Sequence, residues 1–236
     1  MKSGNLYLIP TLLGESNPSD VLPESIARVM EFIDDYIVEQ EKTARKSIKA
    51  VKPEKVQAGL RISLLNKHTL PAEHRAMLDP CLEGRHVGLM SEAGCPGIAD
   101  PGAAIVKIAH KLGIRVVPMV GPSSILLALM ASGMNGQSFA FNGYLPIDKM
   151  EKKSALKNFE KISSDKNQSQ IFIETPYRNN KLLEDLLQTL HPQTLLCIAA
   201  DITLESEFIR TLAAGQWKKQ LPDLHNRPAI FILHKP

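Results

Sequence analysis

The sequence predicts an α/β protein with a mostly parallel sheet in its first half and a mixed sheet in its second. Three observations carry this. Short apolar runs of strand length alternate with stretches of helical periodicity through the first half, the pattern of a parallel sheet flanked by helices. Loops rich in glycine and proline follow several of those runs directly, as in open α/β sheets that bind ligands at the carboxyl ends of their strands. Beyond residue 138 the strand-like runs are denser and hairpin-like connections fit between them. A turn at Met119-Val120-Gly121-Pro122 separates the two patterns, so the expected domains are 1–119 and 120–236. No internal repeat and no low-complexity tract is found.

Leu6-Tyr7-Leu8-Ile9 reads as a buried strand, interior to its sheet, followed by a turn over Pro10 to Gly14. Ser19-Asp20 caps a helix from Val21 to Phe32, with apolar residues at helical spacing and Pro23 in its first turn. Tyr36-Ile37-Val38 is the second strand. It hands over to Glu39-Gln40-Glu41-Lys42-Thr43-Ala44-Arg45-Lys46, which reads either as a solvated helix start or as a contact to an anionic backbone. Leu60 to Leu65 is a strand ending at Asn66-Lys67-His68, and Ala72 to Leu82 reads as one helix.

Val87 to Met90 is a strand, then Ser91 to Gly102 packs three glycines and two prolines into twelve residues. Glycine lets a backbone approach a ligand closely and proline fixes the loop beforehand. A helix over 103–112 stops at Gly113, and Ile114 to Pro118 is a strand. After the Gly121-Pro122-Ser123-Ser124 turn, Ile125 to Ser132 is an apolar helix. Phe139 to Tyr144 is a strand. Lys149 to Lys161 is a basic amphipathic helix, with Leu156 and Phe159 inward, followed by a polar loop from Ser163 to Ser169. Gln170 to Ile173, Leu195 to Ala199, an edge strand at Glu207 to Thr211 and a last strand at Ala229 to Leu233 build the second sheet. A leucine-rich helix over Lys181 to Leu190 and a helical stretch to Trp217 accompany them.

Composition bounds the function. The chain has 236 residues, 44% hydrophobic and 22% charged, with a net charge of +3, which permits an anionic partner without indicating one. Aromatics make up 5% and form no cluster, which argues against a platform for stacking single strands. Cys81, Cys95 and Cys197 have neither disulfide nor zinc spacing, and His68, His74 and His86 lack a metal motif, so no metal is expected. No run has the length of a membrane span and the N-terminus lacks a signal-peptide core, so a cytoplasmic protein is expected. No G-x-G-x-x-G follows the first strand, no P-loop motif occurs, and no serine sits in a G-x-S-x-G elbow. What remains is a set of loops suited to a ligand held by backbone amides and carbonyls.

Ser91 to Gly102 closely resembles the S-D-A-G-T-P-G-I-S-D-P-G signature of the tetrapyrrole methylase superfamily of S-adenosylmethionine-dependent methyltransferases. Four further segments match in order. Leu8 to Gly14 stands where one branch has V-P-T-P-I-G-N. Gly121 to Ser124 resembles its G-P-S-A turn, Asn142 to Pro146 its F-x-G-F-L-P segment, and Glu174 to Arg178 its E-S-P-H-R loop. That branch methylates a ribose 2′-hydroxyl of a cytidine in small-subunit ribosomal RNA.

The resemblance implies two α/β domains with S-adenosylmethionine in the cleft between them, and a homodimer. It implies cofactor contacts at Pro10, Leu12, Glu92, Ala93, Gly94, Pro96, Gly97, Ile98, Ser123, Ser124 and Ile125, with Thr175, Ala199 and Ala200 on the second-domain wall. A general base or a cation would assist the ribose hydroxyl, and the candidates are Glu39, Lys42, Arg45, Asn66 and His68. Here the chain departs from the branch. Where that has A-E-D-T-R-H-T-R-K, this sequence keeps Glu39, Arg45 and Lys46 but carries Gln40, Glu41 and Lys42. It has Asn66-Lys67-His68 near an H-N-E element, and Asp201 to Glu207 lacks the lysine and histidine of E-L-T-K-x-H-E-E. The expected activity is therefore methyl transfer to a ribose of small-subunit rRNA. The alternatives are methyl transfer to a tetrapyrrole or other small molecule, and a non-catalytic S-adenosylmethionine-binding protein.

Overall fold

The first strand, β1 (Leu6–Ile9), is followed by α1 (Pro18–Val21) and α2 (Glu24–Phe32) before the chain returns as β2 (Asp35–Val38). A computed structural model of the protein describes residues 3–236. The single helix expected over 21–32 is two. Leu22 is extended (φ −99°, ψ 133°) because it precedes Pro23, and a residue before proline is pushed out of the helical region. Pro23 is thus the N-cap of α2, and the cap of α1 is Asn17, whose side chain accepts from the Ser19 N–H.

Continuing, α3 (Glu41–Val51), β3 (Arg61–Leu64), α4 (Asp79–Leu82), β4 (Val87–Met90), α5 (Gly102–Lys111) and β5 (Val116–Pro118) complete the first sheet. Its order is β3-β2-β4-β1-β5 and every pairing is parallel. β1 is interior, but the middle strand is β4, which leads into the Gly/Pro loop. The helix expected over 72–82 is instead two short 3₁₀ turns, Pro71–Glu73 and Ala76–Leu78, followed by α4. Pro80 lacks the N–H that a continuous helix would need at that point.

Strand alternation divides the first core. Tyr36 and Val38 point to the face covered by Ile26 and Met30 of α2 and by Ala44 and Ile48 of α3. Ile37, Val87 and Leu89 point to the other, under Cys81 of α4 and Ile105 and Ala109 of α5. At the amino ends of the strands, Asp35 receives Arg61 (Nε 2.8 Å, Nη2 2.7 Å) and Arg85 (Nη1 2.7 and 2.6 Å), tying β2 to β3 and to the entry of β4.

The second sheet is built from β6 (Phe139–Tyr144), β7 (Ser169–Ile173), β8 (Leu195–Ala200), β9 (Phe208–Ala213) and β10 (Ala229–His234), in the order β6-β7-β10-β8-β9. β6 and β7 are parallel, whereas β10 runs antiparallel to β7 and β8, and β9 antiparallel to β8. The sheet is mixed, with β9 at the edge as the sequence suggests.

α6 (Ser124–Ser132) lies against β8, β9 and β10, while α7 (Lys149–Lys166) and α8 (Asn179–Thr189) are joined by α9 (Ala214–Trp217). Leu156 of α7, four leucines of α8, Phe172, Phe231 and Trp217 form this core, and the indole N–H donates to the Leu196 carbonyl at 2.9 Å. α7 runs a turn and a half beyond the expected end, so the polar loop over 163–169 is largely helix. Ser163 is fully buried there, and Asn167 closes the helix in the left-handed region (φ 48°).

The chain divides into two compact units, one ending at Ser123 and one spanning Ser124–Pro236. Among the described residues no helix is long and apolar enough to cross a membrane, and no group of three or more His, Cys, Asp or Glu residues is placed to hold a metal ion.

Candidate functional site

β4 lies between β2 and β1, and β1 lies between β4 and β5, so the segments that leave their carboxyl ends are neighbours. Three of these segments are knit into one surface. The Thr11 N–H donates to the Gly94 carbonyl (3.0 Å) and its hydroxyl donates to the Ser91 carbonyl (3.2 Å), joining the turn after β1 to the loop after β4. The Cys95 thiol reaches the Pro122 carbonyl at 3.3 Å and joins that loop to the turn after β5. Gly121 lies so close to Pro10 that an added Cβ would stand 2.2 Å from the proline Cβ. Only glycine fits there.

Inside the loop, Ser91 donates to the Gly94 carbonyl (3.0 Å). Asp100 does the rest. Both its carboxylate oxygens accept from the Gly97 N–H at 2.9 Å, and Oδ1 also accepts from the Gly102 N–H at 2.7 Å, the first residue of α5. Gly94 (φ 75°) and Gly97 (φ 85°) adopt left-handed conformations that this closure requires, and Ala99 follows at φ 61°. A non-glycine residue in that region is strained, and such strain persists where the surroundings impose it. The outcome is a preset loop whose Glu92, Ala93 and Ile98 side chains are exposed while Gly94 and Pro96 are buried.

Beside this loop lies a small pocket lined by Val38, Glu39, Leu65, Leu89, Met90, Asp100, Pro101 and Gly102. Two carboxyl groups therefore share a largely apolar recess at the ends of β2, β3 and β4. Burial pushes the Glu39 carboxyl above the usual carboxylate range and the nearby charges of Asp100 and Glu92 add to this, against a backbone hydrogen bond from Glu92. Burial pushes Asp100 up as well, opposed by the Gly102 and Gly97 N–H groups. It also raises the Cys95 thiol, which is therefore neutral at pH 7.

The other expected catalytic residues separate. Lys42 is exposed on α3. Arg45, one turn on, is engaged internally: its Nε and Nη2 each lie 2.8 Å from Glu41, and Nη1 donates to the Gln57 carbonyl. Asn66 forms a turn by accepting from the His68 N–H at 2.9 Å, and His68 is exposed after β3. Neither Arg45 nor His68 lines the pocket that holds Glu39.

Among the expected cofactor residues of the first unit, Pro10 is buried over Gly121, and Leu12 and Ser123 are half-buried. In the second unit, Ser124 opens α6 with Ile125 buried behind it. Thr175 gives its N–H (2.7 Å) and hydroxyl (3.2 Å) to Glu174, which also holds Arg178. Ala199 and Ala200 are fully buried in β8, between β10 on one side and β9 on the other.

The sequence reading missed Asp100, Thr11 and Ser91. Asp100 was legible in principle, because an Asp before Pro-Gly at a helix start commonly caps backbone N–H groups. Asp100, not the exposed Glu92, is the carboxylate that caps this loop.

The family model for tetrapyrrole (corrin/porphyrin) methylases matches residues 21–216. The chain belongs to that family. Its curated relatives include a ribosomal RNA small subunit methyltransferase I from Vibrio cholerae, 28% identical over 97% of this chain and 76% of the relative. A protein of the same name from Leptospira borgpetersenii is 32% identical over 98% of this chain and 87% of its own length. Among solved structures, a uroporphyrin-III C-methyltransferase from Thermus thermophilus, complexed with S-adenyl homocysteine, superposes with a TM-score of 0.56. It is 16% identical and the match covers 98% of each chain, so it shows the tetrapyrrole methylase fold.

Proposed function

We propose that this family member is an S-adenosylmethionine-dependent methyltransferase that methylates a ribose 2′-hydroxyl of small-subunit ribosomal RNA. The observation that carries the reading is the preset Ser91–Gly102 loop tied to the turns at Thr11 and Pro122, in a chain whose curated relatives are named as small-subunit rRNA methyltransferases.

The exposed residues of the loop fit such a donor. Glu92 has no side-chain partner among the described residues, and an exposed carboxylate is suited to ribose hydroxyls. Ile98 offers an exposed apolar wall, and the backbone at Gly97, where an added Cβ would meet nothing within 4 Å, is open to close approach. Pro10, Leu12, Ala93, Pro96 and Ser123 belong to the same proposed donor surface. When bound, S-adenosylmethionine supplies a methyl group on a sulfonium, and its in-line displacement depends mainly on positioning.

Glu39 is the proposed general base. Its raised pKa brings it nearer to neutrality, where a base that removes a hydroxyl proton is more effective. Lys42, exposed one helical position into α3, is proposed to meet the anionic acceptor. Arg45 is paired with Glu41 on the same helix and ties α3 to the Gln57 carbonyl, and His68 does not line the Glu39 pocket. A homodimer in the cytoplasm is the proposed setting.

Isothermal calorimetry with S-adenosylmethionine, followed by tritiated-methyl transfer to unmodified small ribosomal subunits, tests this. Donor binding together with labelled rRNA supports it. Absence of binding at millimolar donor removes the methyltransferase reading, label in a tetrapyrrole but not in RNA selects the small-molecule alternative, and binding without any transfer selects the non-catalytic one.

A further inference from the structure

The second unit carries, at one edge of its sheet, features that the donor loop does not use. β6 and β7 are parallel and pair Tyr144 with Ile173, so the segments following them leave the sheet on the same side. The last residue of β6 and the turn after β7 each present a tyrosine to solvent. Tyr144 is 61% exposed and Tyr177 is 64% exposed, whereas Tyr36 is buried in the core of the first unit. The Arg178 guanidinium lies 5.5 Å from the Tyr177 ring centroid and is itself held by Glu174 (Nε 3.1 Å, Nη2 2.8 Å), whose side chain is buried. That tyrosine is therefore preset.

The same edge launches α7. Asp148 caps it by accepting from the Met150 and Glu151 N–H groups, both at 2.9 Å. Lys149, Lys153 and Lys157 follow at four-residue spacing, about 6 Å apart along the axis, on one ridge of the helix. All three are exposed, and none has a carboxylate partner among the described residues. Their neighbours differ: Lys152 is bonded to Asp185 at 3.0 Å and Lys161 to Asp165. Glu151 lies out of phase with the ridge, and Glu160 is turned inward to His191 and Thr194.

We propose that Tyr144, Tyr177 and the Lys149–Lys153–Lys157 ridge form a binding track for single-stranded RNA, with the tyrosines stacking on unpaired bases and the lysines meeting phosphates. The inference rests on the RNA reading of the acceptor and adds where the second unit holds it. Aromatic faces beside a line of cations are what a base-bearing polyanion requires. Ile147 and Met150 are also exposed here, but beyond them the open face of α7 is Lys153, Ser154, Lys157 and Asn158, not the apolar stripe of a membrane-surface helix. The low aromatic content argued against a stacking platform, and the fold revises this by bringing two distant tyrosines to one edge.

The test is fluorescence anisotropy with a labelled single-stranded RNA of about twelve nucleotides, titrated over a range of salt. The wild-type protein is expected to bind with a steep salt dependence. In K149Q/K153Q/K157Q the slope of log K against log salt should fall by about 2, at about 0.7 for each phosphate no longer neutralised, with S-adenosylmethionine affinity unchanged. Y144A and Y177A should each weaken binding by about fivefold or more, with little change in slope. If the wild-type protein binds donor but no RNA, the RNA reading falls and this inference with it. Wild-type binding with an unchanged slope in the triple variant overturns the track alone, as does loss of anionic-vesicle binding in that variant without loss of RNA binding.

Discussion

Replacing Asp100 by alanine removes the acceptor for two backbone N–H groups, at Gly97 and Gly102, and leaves the left-handed turn through Gly97 and Ala99 without its closure. Each orphaned donor costs about 1–3 kcal/mol when buried. The site is half-buried and water recovers part of this, which favours the lower end for each bond. Loss of a negative charge at the start of α5 adds about 0.3–1 kcal/mol. Together the substitution should destabilise the first unit by about 2–4 kcal/mol. Asp100→Asn retains Oδ1, which accepts from both Gly97 and Gly102, so it should cost only about 1 kcal/mol.

Tryptophan fluorescence is the wrong probe for this, because the single tryptophan, Trp217, is buried in the second unit. Urea unfolding followed by far-UV circular dichroism, with hydrogen exchange resolved over residues 91–102, measures the relevant unit. The fluorescence transition reports the second unit. Donor affinity should fall by about tenfold in Asp100→Ala, since a loop that must be ordered on binding costs free energy. Equal stability of wild-type and Asp100→Ala protein, or an Asp100→Asn variant as damaged as the alanine one, refutes the capping argument.

Glu39→Gln should lower kcat by about 10²–10⁴ with donor KM little changed, and should remove the acid limb of the rate profile, which in the wild type lies above the ordinary carboxylate range because the base must be ionised. A wild-type acid limb at an ordinary carboxylate pKa argues against Glu39. Burial alone would push the Asp35 carboxyl up, but the hydrogen bonds from Arg61 and Arg85 outweigh it and hold the group below the usual aspartate range. The stability from this network is therefore full above the ordinary aspartate pKa and lost as pH falls through the depressed one. Asp35→Asn should show a smaller loss in acid urea titrations, of about 1–2 kcal/mol after allowing for two half-exposed arginines. Gly121→Ala should destabilise the first unit by about 1–3 kcal/mol, because its Cβ would collide with Pro10, and should weaken donor binding in calorimetry.

Much of this fold was legible because its strands are short apolar runs bounded by glycine and proline. The boundaries of β1, β4 and β6 follow the sequence residue for residue. Proline defeated the helix readings at 21–32 and 72–82, where apolar periodicity continued through positions that the backbone cannot carry as helix. The extension of α7 to Lys166 was hidden because Ser163 and Ser164 read as loop, although Ser163 is buried and accepts from the Lys235 N–H. Loop positions were readable as motifs, but not the bonds between them. Nothing in the spacing of Thr11, Gly94, Cys95 and Pro122 indicates that parallel pairing of β1 with β4 and β5 brings them together. Glu39 was a candidate from its segment alone, and its apolar recess with Asp100 depends on the adjacency of β2 and β4.

The most direct test of the central claim is to map the methyl group after transfer to unmodified small ribosomal subunits. Label in small-subunit rRNA that blocks alkaline cleavage at one position, as a 2′-O-methyl ribose does, is the predicted result. Label on a base, or cleavage at every position despite incorporation, would contradict it.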